Sequence, residues 1–237
     1  MITKALARGA MLVPMLVVMA SCTSGTVPFV TDPSVTQLQR MKDASANAKA
    51  TGSRVPLRAM AAEQIDCTRR SDSLCEELYG YRASACAQLT NTGDAAQDAA
   101  SRQCAASDYE RAIALLPNPP ADKDRTKLLA GLADALKTLR SEPAPGSDPA
   151  ALTQRFDDTV AKLQGQPDGK TYARYFRADE EATQAMNGRV PPGEVCPALR
   201  NARSQLTSDP AASADLSKRM ATLANSIDSF SAAKGCP

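Results

Sequence analysis

Residues 216–230 read LSKRMATLANSIDSF, and this stretch decides the fold class. Its large apolar residues are Leu216, Met220, Leu223, Ile227 and Phe230, spaced four, three, four and three apart. Apolar residues that recur every three or four positions line one side of an α-helix. A seam this regular needs a second helix to pack against. The stretch therefore predicts a helical hairpin, and we expect its partner to be the helix just before it.

The same helical pattern fills most of the chain. The sequence has only nine aromatic residues and no tryptophan. Alanine and leucine, both strong helix formers, dominate instead. Asp-Pro pairs at residues 32–33, 148–149 and 209–210 are typical of helix starts, because Asp caps the first turn and Pro fits its first position. We expect an all-α array of about nine helices in antiparallel hairpins, stapled by disulfides, with the second helix spanning Pro56 to Arg69.

The longest break in the helical pattern is Pro143-Ala144-Pro145-Gly146-Ser147. Runs of proline, glycine and serine interrupt helices and often separate domains. The sequence therefore predicts an N-terminal helical region at residues 32–142 and a C-terminal helical region at residues 148–237.

The first residues of the chain have the layout of a secretory signal. Lys4 and Arg8 precede an apolar run at residues 10–20, which is too short to span a bilayer. The end of this run, Met19-Ala20-Ser21-Cys22, resembles the lipobox of bacterial lipoproteins. The resemblance implies removal of residues 1–21 and acylation of Cys22, with residues 22–31 as a lipidated tether. The alternative is an ordinary cleaved signal that leaves Cys22 as one more thiol.

The same resemblance predicts the location of the protein. Thr23 follows the lipobox cysteine, where aspartate would be expected in a lipoprotein retained at the inner membrane. It implies an outer-membrane lipoprotein that faces the periplasm. The leader holds two of the 28 basic residues and no acid, so 26 basic residues remain against 26 acidic ones. A neutral mature chain has no global basic field, so we expect no nucleic-acid partner.

Six further cysteines follow Cys22, and an even number in an exported chain favours disulfides. Six cysteines allow 15 pairings, which helix geometry narrows. Residues 75 and 86 lie about 16 Å apart along one helix, too far for a bond. The two cysteines that flank the turn at residues 70–71 can face each other across a hairpin, and the last two flank a pair of antiparallel helices. The remaining two then pair with each other. The expected disulfides are Cys67–Cys75, Cys86–Cys104 and Cys196–Cys236.

The stretch from Cys104 to Pro117 resembles the second helix of a tetratricopeptide (TPR) repeat. A small residue, an aromatic, an alanine and a closing proline recur in that family, here as Ala105, Tyr109, Ala112 and Pro117. The partner helix would be Glu76 to Leu89, with Gly80 at the family's small position, and an insertion of about a dozen residues would separate the two. The resemblance implies a superhelix of helical hairpins that binds other proteins.

The sequence argues against an enzyme. It contains no histidine, which removes the usual general base and every Ser-His or Cys-His arrangement. Without histidine or a Cys-x-x-Cys motif we expect no metal site, and no motif predicts a cofactor. Gly169-Lys170-Thr171 resembles the end of a phosphate-binding loop, but Gln164 stands where that loop needs glycine. Adjacent acidic residues occur at 76–77, 157–158 and 180–181. Neighbouring side chains on a helix point in different directions, so these carboxylates do not face each other as a catalytic pair would.

Two tyrosines are candidates for an interaction surface. Tyr79 and Tyr175 would line an exposed groove as binding anchors, although burial of either ring is an equal alternative. Asp179, Glu180 and Glu181 are expected to pair locally with nearby arginines.

These observations favour a membrane-anchored scaffold or assembly factor for an envelope complex, of the secretion, pilus or outer-membrane assembly type. Its partners would be the membrane, through the lipid on Cys22, and an unidentified envelope protein; the sequence leaves the oligomeric state open. A periplasmic inhibitor or immunity protein that blocks a toxin or hydrolase is the alternative. A cell-wall enzyme is the third.

The cysteine pairing makes a direct prediction. The mature exported protein, alkylated without reduction, should gain no label at its six internal cysteines by mass spectrometry. Digestion should then release three disulfide-linked peptide pairs. Six labelled thiols would contradict the assignment.

Overall fold

Within the residues that the structure describes, the regular secondary structure is α-helical. The computed structural model describes residues 33–67, 71–116, 123–144, 146–207 and 213–236. In these ranges the predicted all-α class is confirmed, with nine α-helices and a short 3-10 turn. The α-helices are α1 Pro33–Thr51, α2 Val55–Ala62, α3 Asp72–Gln88, α4 Ala95–Leu115, α5 Lys123–Ser141, α6 Pro149–Gln164, α7 Gly169–Met186, α8 Val195–Gln205 and α9 Ala214–Lys234, and the 3-10 turn is Pro192–Glu194.

Capping side chains set several helix starts. Asp94 accepts two N–H groups from the first turn of α4, which satisfies donors that the helix itself leaves unpaired. Asp148 caps α6 by accepting one N–H group, that of Ala150, with Pro149 in the first helical position, as the Asp-Pro signal predicts. Helix α9 begins directly after Ser213, whose side chain caps it. The Asp209-Pro210 pair, predicted to start this helix, lies outside the described residues.

Helix α2 is shorter than the predicted span from Pro56 to Arg69, because the chain leaves the helix at Glu63. The carbonyls beyond this point are taken by side chains of other helices. Arg82 of α3 donates to the Glu63 carbonyl at 2.6 Å, and Gln37 of α1 donates to the Gln64 carbonyl at 2.9 Å. These bonds satisfy carbonyls that a longer α2 would have used internally.

From α3 onward, each helix packs against the next one along the chain. Because short loops join most of them, neighbours run antiparallel, as in other arrays of helical hairpins. Helices α3, α5, α7 and α9 also contact one another in that order. They therefore form one layer, which we call the odd-helix layer, and α4, α6 and α8 each contact two successive helices of this layer.

The buried side chains form two groups that meet at α3. One group of buried side chains joins α1, α2 and α3, and a second group runs from α3 to α9. Leu139 of α5 and Phe156 of α6 both belong to the second group, although the break at residues 143–147 separates them in sequence. Helices α5 and α6, on the two sides of this break, pack directly against each other. The division into regions 32–142 and 148–237 stays a prediction.

A buried ion pair connects the two core groups. Arg82 of α3 donates two hydrogen bonds, of 2.6 and 2.9 Å, to the Asp108 carboxylate of α4. Its third nitrogen donates to the Glu63 carbonyl. The Asp108 side chain is only 3% exposed. A buried carboxylate needs such partners, because removing it from water is otherwise very costly. The hydrogen bonds to Asp108 also raise the pKa of Arg82.

A glycine lets α4 and α5 approach closely. The ring of Tyr109 lies against Gly131, where a Cβ atom would be 2.4 Å from the ring carbon Cζ. Burial of this ring raises the pKa of Tyr109 to about 12. Gly80 of α3 is less restricted, because a Cβ there would meet only the end of the flexible Leu128 side chain, at 3.3 Å. Tyr109 and Gly80 are two positions of the TPR resemblance, and both lie at helix contacts.

Three disulfides join helices or segments that are neighbours in the array. They are Cys67–Cys75, Cys86–Cys104 and Cys196–Cys236, with Cα–Cα distances of 6.0, 5.9 and 5.4 Å. These are the pairs that the spacing favours. The first links the segment after α2 to α3, the second links α3 to α4, and the third links α8 to the end of α9. Two of the three thus lie toward opposite ends of the described helices.

We expect Gly131→Ala to destabilise the protein by about 1–3 kcal/mol, because the added methyl overpacks the rigid Tyr109 ring. Gly80→Ala is the matched control: it should be neutral, or stabilising by up to about 1 kcal/mol from helix propensity. Urea denaturation measures both. Adding Tyr109→Leu should recover part of the Gly131→Ala loss. Equal stabilities for the two alanine variants would contradict the packing argument.

Candidate functional site

Helix α5 carries a line of charged side chains. Asp124, Lys127, Asp134 and Lys137 are separated by three, seven and three residues, a spacing that keeps them on one side of a helix. Three depressions lie beside the odd-helix layer, and α5 lines two of them. The N-terminal depression lies among α1, α3 and α5, the central one among α5, α6 and α7, and the C-terminal one between α7 and α9. We call the surface that holds them the odd-helix face.

The central depression encloses about 360 Å³ and is lined by two ion pairs. Lys137 Nζ lies 2.5 Å from Asp179 Oδ2. Arg140 donates two parallel hydrogen bonds, of 2.6 and 2.5 Å, to the Glu180 carboxylate. The Arg140 guanidinium also lies 4.6 Å from the centre of the Phe156 ring, a favourable cation–π distance. These contacts fix α5 against α7.

Glu180 and Lys137 keep their charges at neutral pH. The bond from Arg140 is the main cause that holds the pKa of Glu180 below its usual value. Burial acts to lower the pKa of Lys137, but the charge and bond of Asp179 outweigh burial and raise this pKa. Neither Glu180 nor Lys137 is therefore poised to exchange protons near pH 7.

The acidic run on α7 bonds to two other helices. Local pairs with nearby arginines were expected, but Asp179 and Glu180 reach Lys137 and Arg140 of α5. Glu181 accepts bonds of 2.7 and 2.8 Å from Asn201 of α8. Glu180 and Glu181 are thus held apart on different neighbours. They do not form the facing carboxylate pair that sugar hydrolysis requires.

The C-terminal depression, of about 390 Å³, has Tyr175 as its floor. Arg219 of α9 crosses to Asp134 of α5 with bonds of 2.6 and 2.5 Å, and its guanidinium covers the Tyr175 ring at 4.7 Å. Tyr175 is only 5% exposed, since its ring also packs on Phe176 at 5.3 Å. The predicted role of Tyr175 as an exposed anchor is therefore corrected: the ring supports Arg219 from below.

Tyr79 lies elsewhere and remains partly exposed. The guanidinium groups of Arg82 and Arg111 lie 5.6 and 5.5 Å from its ring centre. Its contacts are with α3 and α4, whereas those of Tyr175 are with α7 and α9. The structure does not bring the two predicted anchors together.

The N-terminal depression, of about 480 Å³, lies between α3 and α5 where Gly80 opens a gap. Tyr81 forms part of the wall of this depression and is only partly buried. Lys42 of α1 lies 5.9 Å above the Tyr81 ring and 2.8 Å from Glu77.

The other sequence motifs acquire structural roles. Gly169-Lys170-Thr171 begins α7 directly after the turn that follows α6, and Thr171 is buried there. A Cβ at Gly169 would lie 1.9 Å from the Leu163 carbonyl oxygen, so glycine permits this close turn. Among the described residues, no three His, Cys, Asp or Glu side chains are placed to share a metal ion.

Sequence reasoning missed the ion pairs that build this face. The spacing on α5 signals a charged side, but the partners lie 40 positions away for Arg140 and Glu180 and 85 away for Asp134 and Arg219. Nothing local in the sequence marks such contacts.

Glu180→Gln should make the free energy of unfolding depend less on pH. Because folding lowers the pKa of Glu180, its contribution is present above the ordinary value of 4.5 and is lost as pH falls through the folded value. We expect a loss of about 1–2 kcal/mol at pH 7 that shrinks towards zero near pH 2. Urea titrations at both pH values measure this. The exposed Asp158→Asn is the control, with a change below about 0.5 kcal/mol; a constant Glu180→Gln deficit at both pH values would contradict the linkage.

The predicted lipidation site, Cys22, lies outside the described residues. None of the described helices combines the length and the apolar character needed to cross a bilayer. No protein-family model, curated protein or solved structure matches this chain. The geometry of the odd-helix face is thus the basis for a functional proposal.

Proposed function

We propose that this chain is a lipid-anchored bacterial scaffold that faces the periplasm from the outer membrane and binds a partner protein on its odd-helix face. The observation that carries the binding role is that face: three depressions of about 480, 360 and 390 Å³ beside one layer of a helical array. Helical arrays use such extended surfaces to bind other proteins. The TPR resemblance around Tyr109 supports the same role.

The ion pairs across the face support recognition more than catalysis. Arg140–Glu180, Lys137–Asp179 and Arg219–Asp134 each join two helices of the odd-helix layer. A partner would therefore meet a surface whose shape is set before binding, which lowers the entropy cost of association. Because these charged side chains pair with each other, the surface would select a partner by its shape and by the net charge at each depression.

The leader and the cysteines support the location. The lipobox-like Met19-Ala20-Ser21-Cys22 would attach the chain to a membrane, since two or three acyl chains at about 0.8 kcal/mol per CH₂ hold durably. Three disulfides agree with an oxidising compartment. The tether at residues 22–31 would reach at most about 35 Å when extended. The array would thus work close to the membrane that holds it.

Site-specific photo-crosslinking in intact cells tests this function. A photoreactive residue at Thr222, exposed in the C-terminal depression, should capture an envelope protein. The same residue at Lys162, exposed on α6, is the control and should capture little. With Cys22→Ala, membrane association and the Thr222 adduct should both fall.

Three outcomes would contradict the proposal: equal adducts at both positions, no adduct at either, or unchanged localisation with Cys22→Ala. One tight partner that is a toxin or hydrolase would instead favour the inhibitor class. Adducts with several envelope proteins favour the scaffold.

A further inference from the structure

Helices α1 and α2 are joined by a tight turn of fixed shape. Gly52 follows α1 with a φ of 68°, and its N–H bonds the Ala48 carbonyl at 2.8 Å. The Thr51 hydroxyl accepts the N–H of Ser53, and the Ser53 hydroxyl accepts the N–H of Val55, which begins α2. The turn therefore holds the end of α1 close to the start of α2.

Three basic side chains surround this turn. Lys49 lies in the last turn of α1, Arg54 directly precedes α2, and Arg58 lies one helical turn further along. All three residues are exposed. Within the part of the chain that the structure describes, none of their side chains forms an ion pair, a hydrogen bond or a ring contact. We call these three residues, together with Val55, the basic turn.

The acids nearest in sequence are engaged by other side chains. No acidic residue occurs between Asp43 and Glu63. Glu63 accepts a bond of 2.6 Å from Gln37 and lies 3.5 Å from Arg40. Asp43 accepts a bond of 2.8 Å from Gln39. Helices α1 and α2 thus keep a local positive excess, although the mature chain would be neutral as a whole.

Exposed apolar side chains occur on the same two helices. Among the described residues, the large apolar side chains that are exposed are Val35, by 51%, and Val55, by 70%. Val55 lies between Arg54 and Arg58 in sequence. Val35 and Lys49 are separated by about four turns of α1, so they lie near one side of this helix. Basic residues interspersed with exposed apolar ones are typical of surfaces that rest on a bilayer.

We infer that the basic turn lies on the anionic phospholipid headgroups of the bilayer that holds the anchor. Lys49, Arg54 and Arg58 meet the headgroup phosphates, and Val55 enters the boundary between headgroups and acyl chains. Each basic side chain near an anionic bilayer strengthens binding about fivefold. The inference rests on the proposed membrane attachment and adds a second contact, made by the folded array itself.

The length of the chain permits both contacts at once. Helix α1 has 19 residues and is about 28 Å long, with the basic turn at its end far from the tether. The proposed tether at residues 22–31 reaches farther, to about 35 Å. The basic turn can therefore meet the bilayer whatever the direction of α1. An anchor this short also makes that bilayer the anionic surface most available to the basic turn.

Vesicle co-sedimentation tests the inference without the anchor. The protein is the chain from residue 22 onward with Cys22→Ala, which cannot be acylated and keeps every described residue. Vesicles of phosphatidylglycerol and phosphatidylcholine in equal parts should bind it at least about tenfold more tightly than vesicles of phosphatidylcholine alone. This preference should weaken at about 0.5 M salt, where charges are screened. Equal binding to the two kinds of vesicle would overturn the inference.

Variants then locate the contact. Arg54→Gln with Arg58→Gln removes two charges from the basic turn and should weaken binding to the anionic vesicles at least about tenfold. Lys162→Gln with Lys170→Gln removes the same charge from exposed positions on α6 and α7 and should change binding less than about twofold. Equal losses in the two double variants would overturn the inference.

A gain of binding makes the test independent of folding defects. Ala59→Lys adds a cation at an exposed position of α2 beside Arg58 and should strengthen binding to the anionic vesicles about fivefold. Binding to the phosphatidylcholine vesicles should not change. Because a misfolded chain exposes its core and binds both kinds of vesicle, an equal gain on both, or no gain, would count against the basic turn.

Photo-crosslinking in intact cells identifies what the basic turn touches. A photoreactive residue at Val55 should capture phospholipid, which the mass of the adduct reveals. The same residue at Lys162 is the control and should capture little lipid. Capture of an acidic protein at Val55, in place of lipid, would overturn the membrane contact.

This inference and the function on which it rests can fail separately. Partner capture from Thr222, with no preference for anionic vesicles, leaves the scaffold and removes the membrane contact of the basic turn. Vesicle binding that depends on Arg54 and Arg58, with no capture from Thr222, supports the membrane contact and contradicts the scaffold.

Discussion

The arrangement of this chain depends most on the ion pair between Arg82 and Asp108. One guanidinium meets a carboxylate on α4 and the carbonyl that α2 leaves behind, so it fixes three segments at once. The two groups of buried side chains meet at α3, the helix that carries it. A buried carboxylate without this partner would be destabilising by several kcal/mol. The segment that follows α2 is thus held to α3 by this guanidinium as well as by apolar packing.

The sequence predicts what local physics controls. The spacing from Leu216 to Phe230 predicts a helix with one apolar side, and hairpin geometry predicts which cysteines form disulfides. Other features depend on contacts distant in sequence. Tyr175 is buried because α9 brings Arg219 over its ring, and α5 packs on α6 because Leu139 and Phe156 share a core. Periodicity reveals which side of a helix is apolar but not which charge another helix will bring to it.

The odd-helix face combines two uses of charge. Where pairs are half-buried and bidentate, as between Arg140 and Glu180, they hold helices in place and leave little charge for a partner. Where pairs are exposed, as between Asp124 and Lys127, the carboxylates remain accessible to one. The same residue types therefore hold helices together in the central depression and stay exposed in the N-terminal one, and burial decides between the two.

The positions of the disulfides affect how the array comes apart. In a stack where each helix contacts mainly its neighbours, the terminal helices open first because they have a neighbour on one side only. Cys196–Cys236 ties α8 to the residues that follow α9, so the C-terminal end cannot open fully while this bond holds. At the other end, α1 and α2 precede Cys67, and none of the three bonds holds them. Because proteases cut chains that open locally, we expect cleavage of the folded array to begin on the side of α1 and α2.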